Sequence, residues 1–245
     1  MRKEDAPDAI CVWDTETGGV EITRDRIFTA YAMIRSITGE TLAEQSWVLN
    51  PGVPMSPEAA AINGLTDDFI QENGIPARKG INEIYMFLSN AVRAGVPLVG
   101  YNTPFDLGIL SHEVRRHFGF DMWDTIGHRA QFFDPFVYDV GNVIKRRGNR
   151  KLMTVAGQHY GIPIDTARLH EAQYDVEVTN HLAWKMLKQS PWTLAEMQPL
   201  QVQWRKAYAD NLTKYFASVG KTDEKTGLAI VVDPSFPWNR EGETA

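Results

Sequence analysis

The stretch AICVWDTET, residues 9–17, begins with an apolar run and ends on two carboxylates, Asp14 and Glu16. A run this short and this apolar reads as a buried strand. Side chains alternate along a strand, so Asp14 and Glu16 point to one side of the sheet at its end. Two carboxylates so placed are a seat for a divalent cation. The same pattern also describes a solvated strand end or a turn, so its meaning depends on the rest of the chain.

Beyond the Gly18–Gly19 turn, RIFTAYAMIRSI (residues 26–37) alternates through Ile27, Thr29, Tyr31 and Met33 and reads as a second strand. Thr38 and Gly39 turn the chain into TLAEQSWVLNP (residues 41–51), a third strand suited to antiparallel pairing with the second. Helical patterns follow. Ser56 and Pro57 form an N-cap and first-turn pair, and Ile81, Ile84, Tyr85, Leu88 and Val92 mark a helix face that ends at Gly95. VPLVGYN (residues 96–102) reads as a strand, and Asn102 or Thr103 caps a helix from Pro104 to about His117, closed by Gly119. A strand near QFFD (residues 131–134) and a helix after Pro135 repeat the alternation. Leu152, Val155, Ala156 and Tyr160 then mark one helix, and Ala172, Val176, Ala183 and Leu187 the next. The expected fold is α/β: a mixed central sheet, first an antiparallel meander and then parallel strands, flanked by helices.

Pro191 and Pro199 are expected to break the pattern before a long amphipathic helix carrying Leu200, Trp204, Tyr208, Leu212, Tyr215 and Val219. From Gly220 onward the composition is that of loop and tail, apart from the run LAIVV. Residues 1–190 are thus expected to form the main domain, and residues 191–245 a C-terminal helix and extended tail.

Composition narrows the function. The 245 residues carry a net charge of −6, against a broad basic surface that holds nucleic acid mainly through phosphate contacts. It is compatible with an enzyme that gathers carboxylates to hold cations. The single cysteine, Cys11, lies in the first apolar run and is expected to be a buried core thiol. With no apolar run of membrane-spanning length and a polar start, the chain is expected in the cytoplasm.

Two further aspartates fall at helix starts: Asp106 in NTPFDLGIL (residues 102–110), and Asp175 at the start of the helix bearing Val176, Ala183 and Leu187. Each also has a purely structural account, because exposed amides at a helix start favour a carboxylate. His170, five residues before Asp175, is expected in the preceding loop, where an imidazole can swing toward a bound water. The other histidines, His112, His117, His128, His159 and His181, show no zinc-ligand spacing and read as surface or packing residues.

Taken in order, D-x-E on the first strand, N-x-x-F-D at a strand–helix junction and H-x-x-x-x-D at a late helix resemble the DEDDh, or DnaQ-like, exonuclease family. That family includes the proofreading epsilon subunit of bacterial DNA polymerase III. The resemblance runs from about Ile10 to Leu187 and takes in NPGVPMSPEAAAINGLTDD (residues 50–68). It implies a ribonuclease H-like fold and a 3′-to-5′ exonuclease with Asp14, Glu16, Asp106, His170 and Asp175 as catalytic residues. It also implies two Mg2+ or Mn2+ ions, with Asp14, Glu16 and Asp175 holding one and Asp14 bridging to the second near Asp106. His170 would deprotonate the attacking water; an imidazole suits this because its unperturbed pKa is about 6.5. By the same resemblance Thr15, Thr17, Ile62, Asn63, Asn102 and Phe105 contact the terminal nucleotides. Asn63 stands where many family members carry histidine.

The implied substrate is a single-stranded or frayed DNA 3′ end, hydrolysed to nucleoside monophosphates in proofreading or repair, with a DNA polymerase subunit as an implied partner. The alternative is an exoribonuclease, since the same metal chemistry cleaves either backbone and recognition of the 2′-hydroxyl decides between them. A catalytically spent binding or scaffolding module is the reading from another class. Lys145, Arg146, Arg147, Arg150 and Lys151 form a basic cluster that either guides a phosphate backbone or is simply solvated.

Overall fold

The computed structural model describes residues 6–142, 149–168, 171–224 and 226–238. Its core is a six-stranded sheet ordered β4-β3-β2-β1-β5-β6. Strands β1 (Ala9–Thr17), β2 (Ile27–Ser36) and β3 (Thr41–Asn50) form the expected antiparallel meander. Strand β5 (Leu98–Val99) runs parallel to β1, and β6 (Phe132–Phe133) runs parallel to β5. A two-residue strand, β4 (Ile75–Pro76), pairs in parallel with the far edge of β3.

Strand β1 is buried on both faces, which explains its continuous apolar start. Cys11 and Trp13 pack into one hydrophobic cluster with residues of α3 (Ala77–Arg93) and α4 (Thr103–Phe118). Ile10 and Val12 pack on the opposite face, against α7 (Ala172–Gln189). Cys11 is the buried core thiol expected, and burial pushes its pKa up. Between β3 and β4 lie α1 (Pro57–Asn63), whose N-cap Ser56 accepts a hydrogen bond from the Ala59 amide, and α2 (Asp67–Asn73). After β6 come α5 (Pro135–Asn142) and α6 (Leu152–Thr154). The chain then makes a wider turn, Val155–His159, instead of the regular helix read from Leu152 to Tyr160.

The last helix, α8 (Leu194–Ser218), differs from expectation in two respects. It runs through Pro199 rather than starting after it. Thr193 and Glu196 form a reciprocal cap that starts the helix early, and burial of Leu194 and Met197 offsets the lost backbone bond. Gln198 Nε2 also donates to the Leu194 carbonyl at 2.8 Å. The second difference is the buried face. It follows Met197, Gln201, Arg205 and Ala209, about 100° around the helix from the aromatic stripe. Trp204 and Tyr208 flank this seam and Tyr215 is exposed.

Helix α8 packs on α5 and β6. Gly141 of α5 allows it, because a Cβ there would lie 1.9 Å from the Trp204 ring. Gln198 and Gln201 reach the edge strand: their Oε1 atoms accept from the amides of Phe132 (3.0 Å) and Asp134 (2.8 Å), and both Nε2 atoms donate to the Phe132 carbonyl. The described residues after Gly220 are mostly irregular, with one bridge between Thr222 and Ala229. They are nonetheless anchored. Trp238 is buried edge-on against Trp123 and Phe132, with ring centroids 5.2 and 6.0 Å away. Among the described residues no helix is long and apolar enough to cross a membrane.

Candidate active site

The site forms at the end of β1, past its pairing with β5, where Asp14 and Glu16 remain paired with β2. Asp14 and Glu16 continue the face of Ile10 and Val12, so they point toward α7. Asp175 lies in the first turn of that helix, which packs across β1 and β2. Asp14, Glu16 and Asp175 each offer a carboxylate oxygen, and these oxygens lie within 4.8 Å of one another. Among the described residues this is the one group of acidic, histidine or cysteine side chains so arranged. A shift in register between Glu16 and Thr17 bends the strand just beyond the cluster.

Asp106 comes from the other face. It sits in the first turn of α4, is buried, and its Oδ1 accepts a 2.6 Å hydrogen bond from the Thr15 hydroxyl. It stands beside the three clustered carboxylates and is close enough to repel Asp14. Helix α4 is held at its start by Asp134, whose carboxylate accepts from the amides of Asn102 (3.1 Å) and Thr103 (2.8 Å). The same carboxylate accepts from Phe136 (2.8 Å) and Val137 (3.3 Å) at the start of α5. The cap of α4 is therefore supplied by Asp134. Asn102 occupies the cap position with a left-handed backbone (φ 62°), and its side chain makes no cap hydrogen bond.

Burial is the leading cause of the raised carboxylate pKa values, followed at Asp14 and Glu16 by repulsion from the neighbouring acids. Asp14 is raised well above its ordinary range by burial and by Asp106, Glu16 and Asp175. Glu16 is pushed up to about 8 by burial, Asp175 and Asp106. Asp106 is raised to about 7 by burial, against the opposing hydrogen bonds from Thr15. An all-oxygen donor set that repels itself this strongly fits a hard divalent cation, which neutralises the charge that burial makes costly.

The folded chain therefore binds more protons than the unfolded chain between the ordinary and raised pKa values of Glu16 (4.5 and about 8) and Asp106 (3.8 and about 7). In that window stability falls as pH rises. With chelator present, the melting temperature is expected to drop between about pH 5 and about pH 8.5, and Mg2+ should restore most of the loss at the higher pH. Equal melting temperatures across that range in chelator would mean that the acids do not share a buried site.

Beside Glu16 opens a cleft of about 420 Å³ lined by Thr17, Gly19, Val20, Ile62 and Asn63, among others. Its size is within the range of small-ligand sites. A Cβ on Gly19 in its wall would lie 2.2 Å from the Asp25 carboxylate, which would have to turn aside. Ile62 is exposed at the rim, and the Asn63 side chain accepts from the Leu65 amide. Thr15 is buried with its hydroxyl committed to Asp106, while Thr17 donates to the Gly19 carbonyl. Asn102 and Phe105 lie at the start of α4, both partly exposed.

His170 lies outside the described residues, as do Lys145, Arg146 and Arg147 of the basic cluster. Arg150 of that cluster is paired with the buried Asp139, and Lys151 is exposed. Nothing in the sequence alone marks Asp134, Gln201 or Arg205. An aspartate before a proline passes for a turn residue, and the polar pair interrupts an otherwise apolar helix pattern.

The RNase_T family model, described as Exonuclease, matches residues 11–183. The DNA polymerase III PolC-type protein of Streptococcus pneumoniae strain D39 is 26% identical over 183 residues, 73% of this chain and 11% of that protein. Its counterpart in Halalkalibacterium halodurans is 27% identical over 179 residues, 72% of this chain and 11% of that protein. The chain thus spans about a tenth of the length of these curated relatives. Among solved structures, the zinc-bound complex of Escherichia coli exonuclease I with single-stranded DNA superposes with a TM-score of 0.63 at 19% identity, covering 78% of this chain and 43% of that one. Exonuclease I of Methylocaldum szegediense gives 0.56 at 20% identity, covering 85% and 46%. At these identities the likeness is one of fold.

Proposed function

The chain belongs to the exonuclease family whose model spans residues 11–183, and from that premise we propose that it is a divalent-metal-dependent 3′-to-5′ exonuclease acting on single-stranded or frayed DNA ends. The observation that carries this reading is the convergence of Asp14, Glu16 and Asp175 oxygens within 4.8 Å, with Asp106 alongside. DNA is chosen over RNA because the curated relatives are named as DNA polymerases and a structural neighbour was solved with single-stranded DNA. A proofreading or repair role beside a polymerase fits the same relatives.

Asp14, Glu16 and Asp175 would hold one Mg2+ or Mn2+ ion, and Asp14 and Asp106 a second. Bound cations would neutralise the scissile phosphate and acidify water at the site. The chain's own groups do the rest. The Thr15 hydroxyl fixes the Asp106 carboxylate, and Asp134 fixes the turn that carries it. The terminal nucleotide enters the cleft between Thr17, Ile62 and Asn63, with the apolar rim against the base, while Asn102 and Phe105 contact it from α4. The His170 imidazole accepts the proton of the attacking water, and a nucleoside monophosphate leaves.

The test is hydrolysis of matched DNA and RNA single strands labelled at either end, with Mg2+, Mn2+ and chelator. Mononucleotide release from the 3′ end of DNA, abolished by chelator, is expected. Release from the 5′ end, or undiminished activity in chelator, overturns the proposal, and faster cleavage of RNA overturns the choice of DNA. His170→Ala is expected to lower kcat by about 10²-fold or more while Mg2+ affinity, read by calorimetry, changes little. Loss of Mg2+ binding in that variant would place His170 among the ligands instead.

A further inference from the structure

We propose that Arg205, on α8, grips a backbone phosphate of the nucleic-acid strand beside Asn102. The proposal rests on the nuclease reading above and adds a contact from outside the matched family segment, which ends at residue 183.

Arg205 is 8% exposed, yet among the described residues it makes no ion pair within 4 Å; its one side-chain partner is Asn102. Its Nη1 donates to Asn102 Oδ1 at 3.4 Å, and its Nε is buried without an acceptor. A guanidinium stays charged at any working pH, so burying one against a single neutral amide is costly unless an anion completes it. The contrast within this chain is direct. Arg150 meets Asp139, while Arg26 and Arg116 converge on the buried Glu113. Of these four, Arg205 is the one with a buried guanidinium nitrogen that finds no acceptor.

Its position points to the anion. Asn102 lies one helical turn before Asp106 and holds the cap position of α4 with a strained, left-handed backbone. The guanidinium therefore sits at the start of the helix that carries Asp106 in its first turn. Tyr208, one turn along α8, stands edge-on to Phe136 at 5.1 Å and is partly exposed, giving an aromatic surface next to the charge. A cation beside an aromatic surface is the pairing that single-stranded nucleic acid uses, phosphate on one and base on the other. The planar fork of arginine matches two phosphate oxygens.

The test uses the full chain with Ca2+ and a fluorescent single-stranded DNA of about 12 nucleotides, followed by anisotropy across a salt series. Arg205→Gln is expected to weaken binding about tenfold and to make the slope of log affinity against log salt shallower by about 0.7, the value of one lost phosphate contact. In steady-state assays KM should rise more than kcat falls. Arg205→Lys keeps the charge and covers the case in which the glutamine variant does not fold: its slope should match wild type while affinity drops, because a lysine cannot bind two oxygens in the same way. A lower melting temperature with unchanged affinity and slope would show Arg205 to be a packing residue and overturn the proposal. If wild type cuts DNA and both variants bind as wild type does, this inference falls and the nuclease reading stands. If wild type neither binds nor cuts, both fall.

Discussion

Asp14→Asn is expected to reduce nuclease turnover by at least about 10³-fold while raising the melting temperature of the metal-free protein above neutral pH. The two effects have one origin. Asp14 is pressed by burial and by three other acids. A neutral amide of the same shape removes that repulsion and with it the charge that would hold a cation. The gain in Mg2+-dependent stability should disappear as well, because it arises from binding to the folded state alone. Asp175→Asn should reproduce the loss of activity. Full activity in either variant under chelator-sensitive conditions would place catalysis elsewhere in the preparation and favour a binding module.

Asp134→Ala is expected to cost about 3 kcal/mol or more of stability, seen as a fall of roughly 6–12 °C in melting temperature. The carboxylate is fully buried and accepts four backbone amides at the starts of two helices. Alanine would strand all four donors. Burial raises the pKa of this acid to about 6, with the amides of Asn102, Val137, Phe136 and Thr103 opposing the shift. Asparagine keeps one acceptor oxygen and should lose less. Since α4 carries Asp106 in its first turn, activity should fall in the alanine variant even below its melting temperature. A wild-type melting curve for Asp134→Ala would mean that other groups satisfy these amides.

Much of this architecture is legible in the sequence, for reasons that differ by element. The meander is readable because β1 is apolar throughout its buried length and β2 alternates, and because Thr38–Gly39 turns the hairpin. Asp14, Glu16 and Asp175 are readable because their position at element ends follows from strand and helix periodicity. The substrate roles, and the role of His170 as base, come only from resemblance, since no local pattern distinguishes a cleft-lining Ile62 or Asn63 from a surface residue. The long-range polar contacts escaped notice altogether. Asp134 caps a helix 31 residues earlier in the chain, and Gln201 meets β6 from 69 residues away. Apolar periodicity placed the buried face of α8 on its aromatics, whereas the buried row is Met197, Gln201, Arg205 and Ala209, with Trp204 and Tyr208 packed on α5 beside it. Pro199 looked like a barrier because tertiary packing, invisible in a local window, outweighs its cost.

The amide groups of Gln198 and Gln201 offer β6 the donors and acceptors that a seventh strand would bring. A sheet that stopped at β6 with bare backbone would be a template for another chain's strand. Here the template is already filled by side chains of a helix, which cannot propagate the ladder. Growth of the sheet by strand addition is thereby closed off on this margin, and the protein gains protection against edge-to-edge aggregation without spending a charged residue or a bulge there.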